Sequence, residues 1–226
     1  MNLTILADEN IPAVEQYFGH LGQVRRARGR QLGCSQLADV DALLVRSVTA
    51  VNQGLLEGTP VRFVGTATSG IDHIDSSYLQ DSGIGFAHAP GSNANSVVEY
   101  VLAGIAASGD KLEQLLAGGT VGIIGYGVIG RAVAARLDAL GIEYIACDPW
   151  LDQSMISRRG SLEQVLDCDV VTLHAELTRQ HPWPSYHLLD RKSLACIGRD
   201  TLLINASRGP VVDNAALLEL LGRGLG

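Results

Sequence analysis

An apolar run, Thr120-Val121-Gly122-Ile123-Ile124, leads directly into Gly125-Tyr126-Gly127-Val128-Ile129-Gly130. A helical pattern then runs from Val128 to Leu140, and a second apolar run, Glu143-Tyr144-Ile145-Ala146-Cys147, ends on Asp148. A strand, a glycine turn, a helix, a second strand and an acid in that order imply two parallel strands joined by a helical crossover, the arrangement of a dinucleotide site. Gly125 permits the tight turn out of the strand. Gly127 lets backbone approach a pyrophosphate, and Gly130 lets the helix pack on the strand. The N–H groups at the helix start, from Tyr126 through Val128 and Ile129, are placed to bind phosphate oxygens with help from the helix dipole. Asp148 would accept hydrogen bonds from the adenosine ribose hydroxyls. Its charge would repel a 2′-phosphate, so NAD is expected rather than NADP.

The rest of the chain follows the same alternation. Apolar runs occur at Leu3-Thr4-Ile5-Leu6-Ala7, Ala42-Leu43-Leu44-Val45, Val61-Arg62-Phe63-Val64 and Ile84-Gly85-Phe86-Ala87, with helical patterns over residues 11–21 and 76–80. Beyond the glycine turn, Asp169-Val170-Val171-Thr172-Leu173 and Thr201-Leu202-Leu203-Ile204-Asn205 read as strands, and residues 214–221 as a helix capped by Asp213. Residues 93–116 read as one long helix, broken or kinked near Gly109, and the prolines at 182 and 184 make residues 179–184 a loop. Near-continuous apolar strands alternating with helices predict parallel sheets covered on both faces. The expected architecture is α/β: two doubly wound parallel-sheet domains, residues 1–95 and residues 96–226.

Composition narrows the function classes. The chain has 226 residues, 46% hydrophobic and 18% charged, which suits a core-forming protein. A net charge of −7 without a lysine or arginine run argues against a nucleic-acid surface. No cysteine pair has metal-ligand or redox spacing, so the four cysteines read as reduced thiols and no metal is expected. No apolar run approaches a membrane span and no signal-peptide pattern opens the chain, so the cytoplasm is the expected compartment. Arg208, in Asn205-Ala206-Ser207-Arg208-Gly209, follows an apolar strand, where open parallel sheets bind ligands. Its guanidinium could fork to a carboxylate and polarise an adjacent carbonyl.

The glycine turn, Val171-Thr172-Leu173-His174 and the run from Asn205 to Asp213 together resemble the D-isomer-specific 2-hydroxyacid dehydrogenases. Leu6-Ala7-Asp8-Glu9-Asn10-Ile11-Pro12, Leu44-Val45-Arg46-Ser47-Val48-Thr49, the run from Phe63 to His73 and that from Ala89 to Val101 narrow the resemblance to one branch. That branch acts on a small phosphorylated hydroxy acid, 4-phospho-D-erythronate, in one route to vitamin B6. The resemblance implies a flavodoxin-like substrate domain, a Rossmann NAD-binding domain and a homodimer held by the helix over residues 93–116. It assigns Arg208 to substrate orientation and carbonyl polarisation, and Ser47 and Thr68 to hydrogen bonds with substrate. Arg46 becomes a neighbour of the substrate carboxylate or phosphate. Ala206, Ser207 and Arg208 would line the nicotinamide side of the cofactor. The implied reaction removes a hydride from C2 and gives the 2-oxo acid and NADH.

Two departures stand out. Relatives of this kind carry Thr-Pro after the strand-end histidine, where this chain has Ala175-Glu176. Ala175 thus stands at a cofactor-contact position, and Glu176 places a carboxylate near the expected pyrophosphate. The family's catalytic histidine and its glutamate fall beyond the Arg208 segment, and no equivalent precedes Gly226. The expectation is an incomplete Rossmann domain, cut from a longer natural chain, with Leu202-Leu203-Ile204-Asn205 as an exposed edge and no turnover by these 226 residues alone. The competing expectations are a non-catalytic NAD(H)-binding or scaffold module, or a dehydrogenase for another D-2-hydroxy acid.

Overall fold

The structure is a computed structural model describing residues 2–223. It divides into two compact units between Ser92 and Asn93. The sequence had placed the divide at residue 95. The break falls earlier because the helix that begins at Ala94 packs, with its cap, in the second unit.

Unit 1 holds five parallel strands: β1 (Leu3–Asp8), β2 (Gly22–Ala27), β3 (Ala42–Val45), β4 (Phe63–Thr66) and β5 (Gly85–His88), in the order β2-β1-β3-β4-β5. This is the flavodoxin-like order, and it reverses direction between β1 and β3. Successive residues of β1 face opposite sides: Ile5 and Ala7 pack with Val14 and Leu44, whereas Leu6 packs with Leu43, Val45 and Val64. The helices are α1 (Val14–Phe18), α2 (Gln53–Leu56) and α3 (Ser76–Asp81). The helix expected over residues 11–21 is only five residues long, because Ala13 enters it in the left-handed region (φ 54°). β2 gave no apolar signal. It is an edge strand whose arginines are neutralised outside the sheet, Arg25 by Asp39 at 2.7 Å and Arg26 by Glu15 at 2.7 Å. The strand expected at residues 61–64 lies two residues further on, at β4.

Unit 2 opens with two helices, α4 (Ala94–Ala106) and α5 (Lys111–Leu116), separated at Gly109, whose φ of 63° no α-helix accommodates. Four parallel strands follow: β6 (Thr120–Ile124), β7 (Glu143–Cys147), β8 (Val170–Leu173) and β9 (Leu202–Asn205), in the order β7-β6-β8-β9. Beyond β7 a further parallel partner is reduced to one bridge, Ala146 with Arg159, carried by Ala146 N–H to Arg158 O (2.8 Å) and Gly160 N–H to Ala146 O (3.0 Å). Counting that bridge, the order is the 3-2-1-4-5 of a Rossmann sheet.

The helix α6 (Val128–Leu140) packs with α4 on one face, around Val101, Ile123, Val133 and Leu137. The helices α7 (Leu162–Leu166), α8 (Arg191–Leu194) and α9 (Asn214–Arg223) cover the other, around Val171, Leu173, Leu189 and Val211. Asp213 caps α9, accepting from Ala215 N–H at 3.0 Å and Ala216 N–H at 3.1 Å. Among the described residues β9 is an edge: all four residues of β8 are buried, whereas Leu202, Leu203 and Ile204 are only half-buried. No helix of the described residues is long and apolar enough to cross a membrane.

Candidate active site

The C-terminal ends of the unit 2 strands gather the groups expected to hold a dinucleotide. Gly125 leaves β6 with φ 90°, and a Cβ there would lie 2.5 Å from the Ala175 nitrogen. A Cβ on Gly130 would lie 2.1 Å from the Gly125 carbonyl oxygen. The turn, the end of β8 and the first turn of α6 are therefore packed backbone to backbone. Gly127 is different: a Cβ there meets nothing within 4 Å. It is the N-cap of α6 and supplies no side chain to satisfy the first N–H groups of that 13-residue helix. Open space above unsatisfied, convergent N–H groups fits a phosphate.

Side chains hold the turn in place. Asp148 Oδ2 accepts from Tyr126 N–H at 2.8 Å and Oδ1 from Trp150 N–H at 3.1 Å, so the acid at the end of β7 ties the turn to its own loop. A carboxylate has about four acceptor sites, so these two bonds leave capacity for ribose hydroxyls. Arg131 Nε donates to Tyr126 O at 3.1 Å. Tyr126 itself turns into the core, where burial pushes its phenol up to about 12 and keeps it neutral. Val128 is exposed and Ile129 packs on the core. For Tyr126 and Ile129, then, any contact with a cofactor is through backbone.

Beside the turn lies a cavity of about 1130 Å³, lined by Gly125, Gly127, Asp148, Arg159, Ala175 and Glu176 among others. Both tryptophans wall it, and Trp150 Nε1 donates to Trp183 O at 3.1 Å, joining the loop after β7 to the loop after β8. The second loop is braced by Ser185, whose hydroxyl donates to Glu176 O and accepts from Thr178 N–H. The volume exceeds what an adenosine requires and lies just above the usual range of small-ligand sites. Open space at Gly127, the bare helix start, the acid and the cavity together fit the adenosine and pyrophosphate of NAD.

His174 lies at the end of β8, where Thr172 Oγ1 is 3.0 Å from its Nε2. Burial holds its pKa at about 4, so the ring is neutral at pH 7 but too weakly basic to draw a proton from a hydroxyl there. Unfolding restores a pKa near 6.5. The unfolded state then binds the extra proton first, so stability should fall as pH drops from about 6.5 to about 4 and level off below that window. The full shift corresponds to roughly 3 kcal/mol. His174→Gln should flatten this part of the acid limb in urea titrations, and an unchanged limb would refute the assignment.

At the end of β9, Asn205 organises the turn that carries Arg208. Its Oδ1 accepts from Ser207 N–H (3.0 Å) and Ser207 Oγ–H (2.9 Å), and its Nδ2 donates to Arg208 O (2.9 Å). Ala206 N–H bonds Leu173 O at 3.2 Å, which sets this turn beside His174 and Ala175. Ala206, Ser207 and Arg208 are half-buried and do not line the cavity. They stand on the opposite flank of the glycine turn from Asp148.

The remaining expected residues, Arg46, Ser47 and Thr68, belong to unit 1. Arg46 and Ser47 follow β3, and Thr68 follows the neighbouring β4. Ala67 N–H to Val45 O (3.0 Å) keeps the two loops adjacent. Ser47 is exposed. Thr68 Oγ1 donates to Gly70 O (3.0 Å) and sits 2.8 Å from Thr66 Oγ1, which in turn is 3.0 Å from His73 Nε2. Sequence reading missed this hydroxyl–imidazole chain and the salt bridge of Arg46 with Asp8, because neither follows from linear spacing.

The comparisons agree with this geometry. Residues 92–225 match the family model described as D-isomer specific 2-hydroxyacid dehydrogenase, NAD binding domain. The chain is 48% identical to the erythronate-4-phosphate dehydrogenase of Marinobacter nauticus, over 97% of this chain and 58% of that protein. It is 45% identical to that of Escherichia fergusonii, over 98% of this chain and 59% of that protein. The chain thus spans somewhat more than half the length of these relatives. A D-lactate dehydrogenase from Aquifex aeolicus, solved with NAD and lactic acid, has the same fold: TM-score 0.80, 24% identity, 97% of this chain and 74% of that one. The chain belongs to the D-isomer-specific 2-hydroxyacid dehydrogenase family, and its second unit is that family's NAD-binding domain.

Proposed function

We propose that this chain carries the cofactor- and substrate-holding parts of an NAD-dependent dehydrogenase that oxidises 4-phospho-D-erythronate at C2 to the 2-oxo acid, a step toward vitamin B6. The observation that carries this reading is the order of groups across the unit 2 sheet: Asp148 after β7, the bare helix start after β6, Ala175 after β8 and Arg208 after β9. A ribose-binding acid, a phosphate cradle and a carboxylate-binding arginine succeed one another as the parts of an extended dinucleotide and its substrate require. The relatives at 45–48% identity, named for this substrate, support the choice among hydroxy acids.

NAD⁺, when bound, would supply the acceptor for the hydride that leaves C2; the hydroxyl proton would require a base, a role that the residues assigned below do not fill. Asp148 would hold the adenosine end. The N–H groups of Gly127 to Ile129 would neutralise the pyrophosphate. Arg208 would fork to the C1 carboxylate and stabilise negative charge on the C2 oxygen. The exposed Tyr100 of α4 supports a homodimer contact through that helix, and a monomeric mass by light scattering at micromolar concentration would remove that part of the proposal.

The test is calorimetric binding of 4-phospho-D-erythronate, D-erythronate and D-lactate to the NADH-loaded chain, run beside an NADH titration. Binding confined to the phosphorylated acid supports the reading. Preference for D-lactate would assign another D-2-hydroxy acid, and NADH binding without binding of any of the three acids would leave a binding module.

A further inference from the structure

Asp8 ends β1 with its side chain only 2% exposed. Oδ1 accepts from Asn10 N–H at 2.9 Å, whereas Oδ2 is buried with no hydrogen-bond partner among the described residues. The loop after β2 closes over it: a Cβ on Gly29 would lie 2.2 Å from Oδ2, so only glycine lets the backbone pass there. Thr49, after β3, pins that cover by donating to Gly29 O at 3.1 Å. The carboxylate is thus enclosed by loops from three strands, and the nearest cation is Arg46, Nη1 to Oδ1 3.9 Å.

That separation is too long for a hydrogen bond but short enough for strong attraction near a low-dielectric wall. Arg46 is 39% exposed and donates no hydrogen bond to a described residue, so its five N–H donors remain uncommitted. Both residues sit at the β1/β3 junction, where the strand order reverses and parallel sheets of this topology bind ligands. A buried carboxylate without a close partner is costly, and this one is kept where it can steer a single guanidinium.

We propose that Asp8 is a positioning residue for Arg46: its enclosed carboxylate holds the guanidinium at the β1/β3 junction so that the N–H fork takes the phosphate of the substrate. This rests on the proposed phosphorylated substrate. The fork geometry suits a phosphate better than a point charge does.

The experiment is calorimetric titration of the 226-residue chain with 4-phospho-D-erythronate, with inorganic phosphate as a second probe, for wild type, Asp8→Asn, Arg46→Gln and the double variant. Asp8→Asn should weaken binding about ten-fold, the scale of one charge-assisted hydrogen bond. It should cost almost nothing further in the Arg46→Gln background, because it acts through that arginine. Unchanged affinity in Asp8→Asn, or losses that add in the double variant, would overturn the proposal. If Asp8→Asn fails to fold, Arg46→Lys decides: several-fold weaker binding supports an oriented fork, and undiminished binding overturns it. Wild type that binds neither probe at millimolar concentration removes the substrate reading as well, whereas the Asp8 variants bear on the positioning role alone.

Discussion

Gly130→Ala should destabilise unit 2 by about 3 kcal/mol and remove NADH binding, whereas Gly127→Ala should remove binding from a protein that stays as stable as wild type. The two glycines are three residues apart in one turn, and only their surroundings differ. At position 130 the added methyl would lie 2.1 Å from the Gly125 carbonyl oxygen, an overlap with backbone that only separation of α6 from β6 can relieve. That separation would disturb Ile123 and Val133, both fully buried. A loss on this scale corresponds to a melting shift of roughly 10 °C for a unit of this size. At position 127 the methyl has open space and ordinary φ (−73°), so the fold tolerates it. It would nonetheless occupy the volume offered to a phosphate. Thermal melts with NADH titrations on both variants check the pair; binding by Gly127→Ala as tight as wild type would mean the turn does not hold the pyrophosphate.

The second large effect is expected at Asp148. Its carboxylate bonds Tyr126 N–H and Trp150 N–H and faces the cavity. Asp148→Ala removes two charge-assisted bonds that fix the turn, and with them the acceptor for ribose. NADH affinity should fall about 10- to 100-fold, at roughly 1.5–3 kcal/mol per bond to a charged group with partial compensation by water. Selectivity should change as well. Arg159 lines the same cavity, and once the acid is gone its cation is available to a 2′-phosphate. Wild type should prefer NADH over NADPH strongly, and Asp148→Ala should bind the two within a few-fold. Parallel titrations check this, and a variant that keeps the preference for NADH would place discrimination elsewhere.

The parts of the fold legible in the sequence were those whose signals are local. The helix after the glycine turn and the strand that ends before Asp148 have the limits read from the sequence, because an apolar run, a glycine turn and a Gly141 stop mark them without help from tertiary contacts. The interruption at Gly109 was visible for the same reason. β2 was not, because an edge strand needs few apolar residues and its arginines are satisfied by Glu15 and Asp39 from outside the sheet. The strand reduced to a bridge at Arg159 left no periodic pattern to find.

Site geometry was legible where chain order and spatial order coincide, as along the turn, and illegible where distant loops meet. Trp150 and Trp183 touch across 33 residues. Asp8 depends on Gly29 and Thr49, which reach it from two other strands. In the sequence, only the family's pattern, whose catalytic histidine falls beyond the Arg208 segment, tells against His174 as a base. Its burial supplies the physical reason: a ring whose pKa is held at about 4 is too weak a base near pH 7.

Both tryptophans of the chain wall the cavity, so the central claim, a dinucleotide site in unit 2, has a direct optical test. NADH should quench tryptophan emission saturably, with sensitised emission from the bound nicotinamide, and NAD should reverse the signal by competition. Emission unchanged up to millimolar NADH would contradict the account.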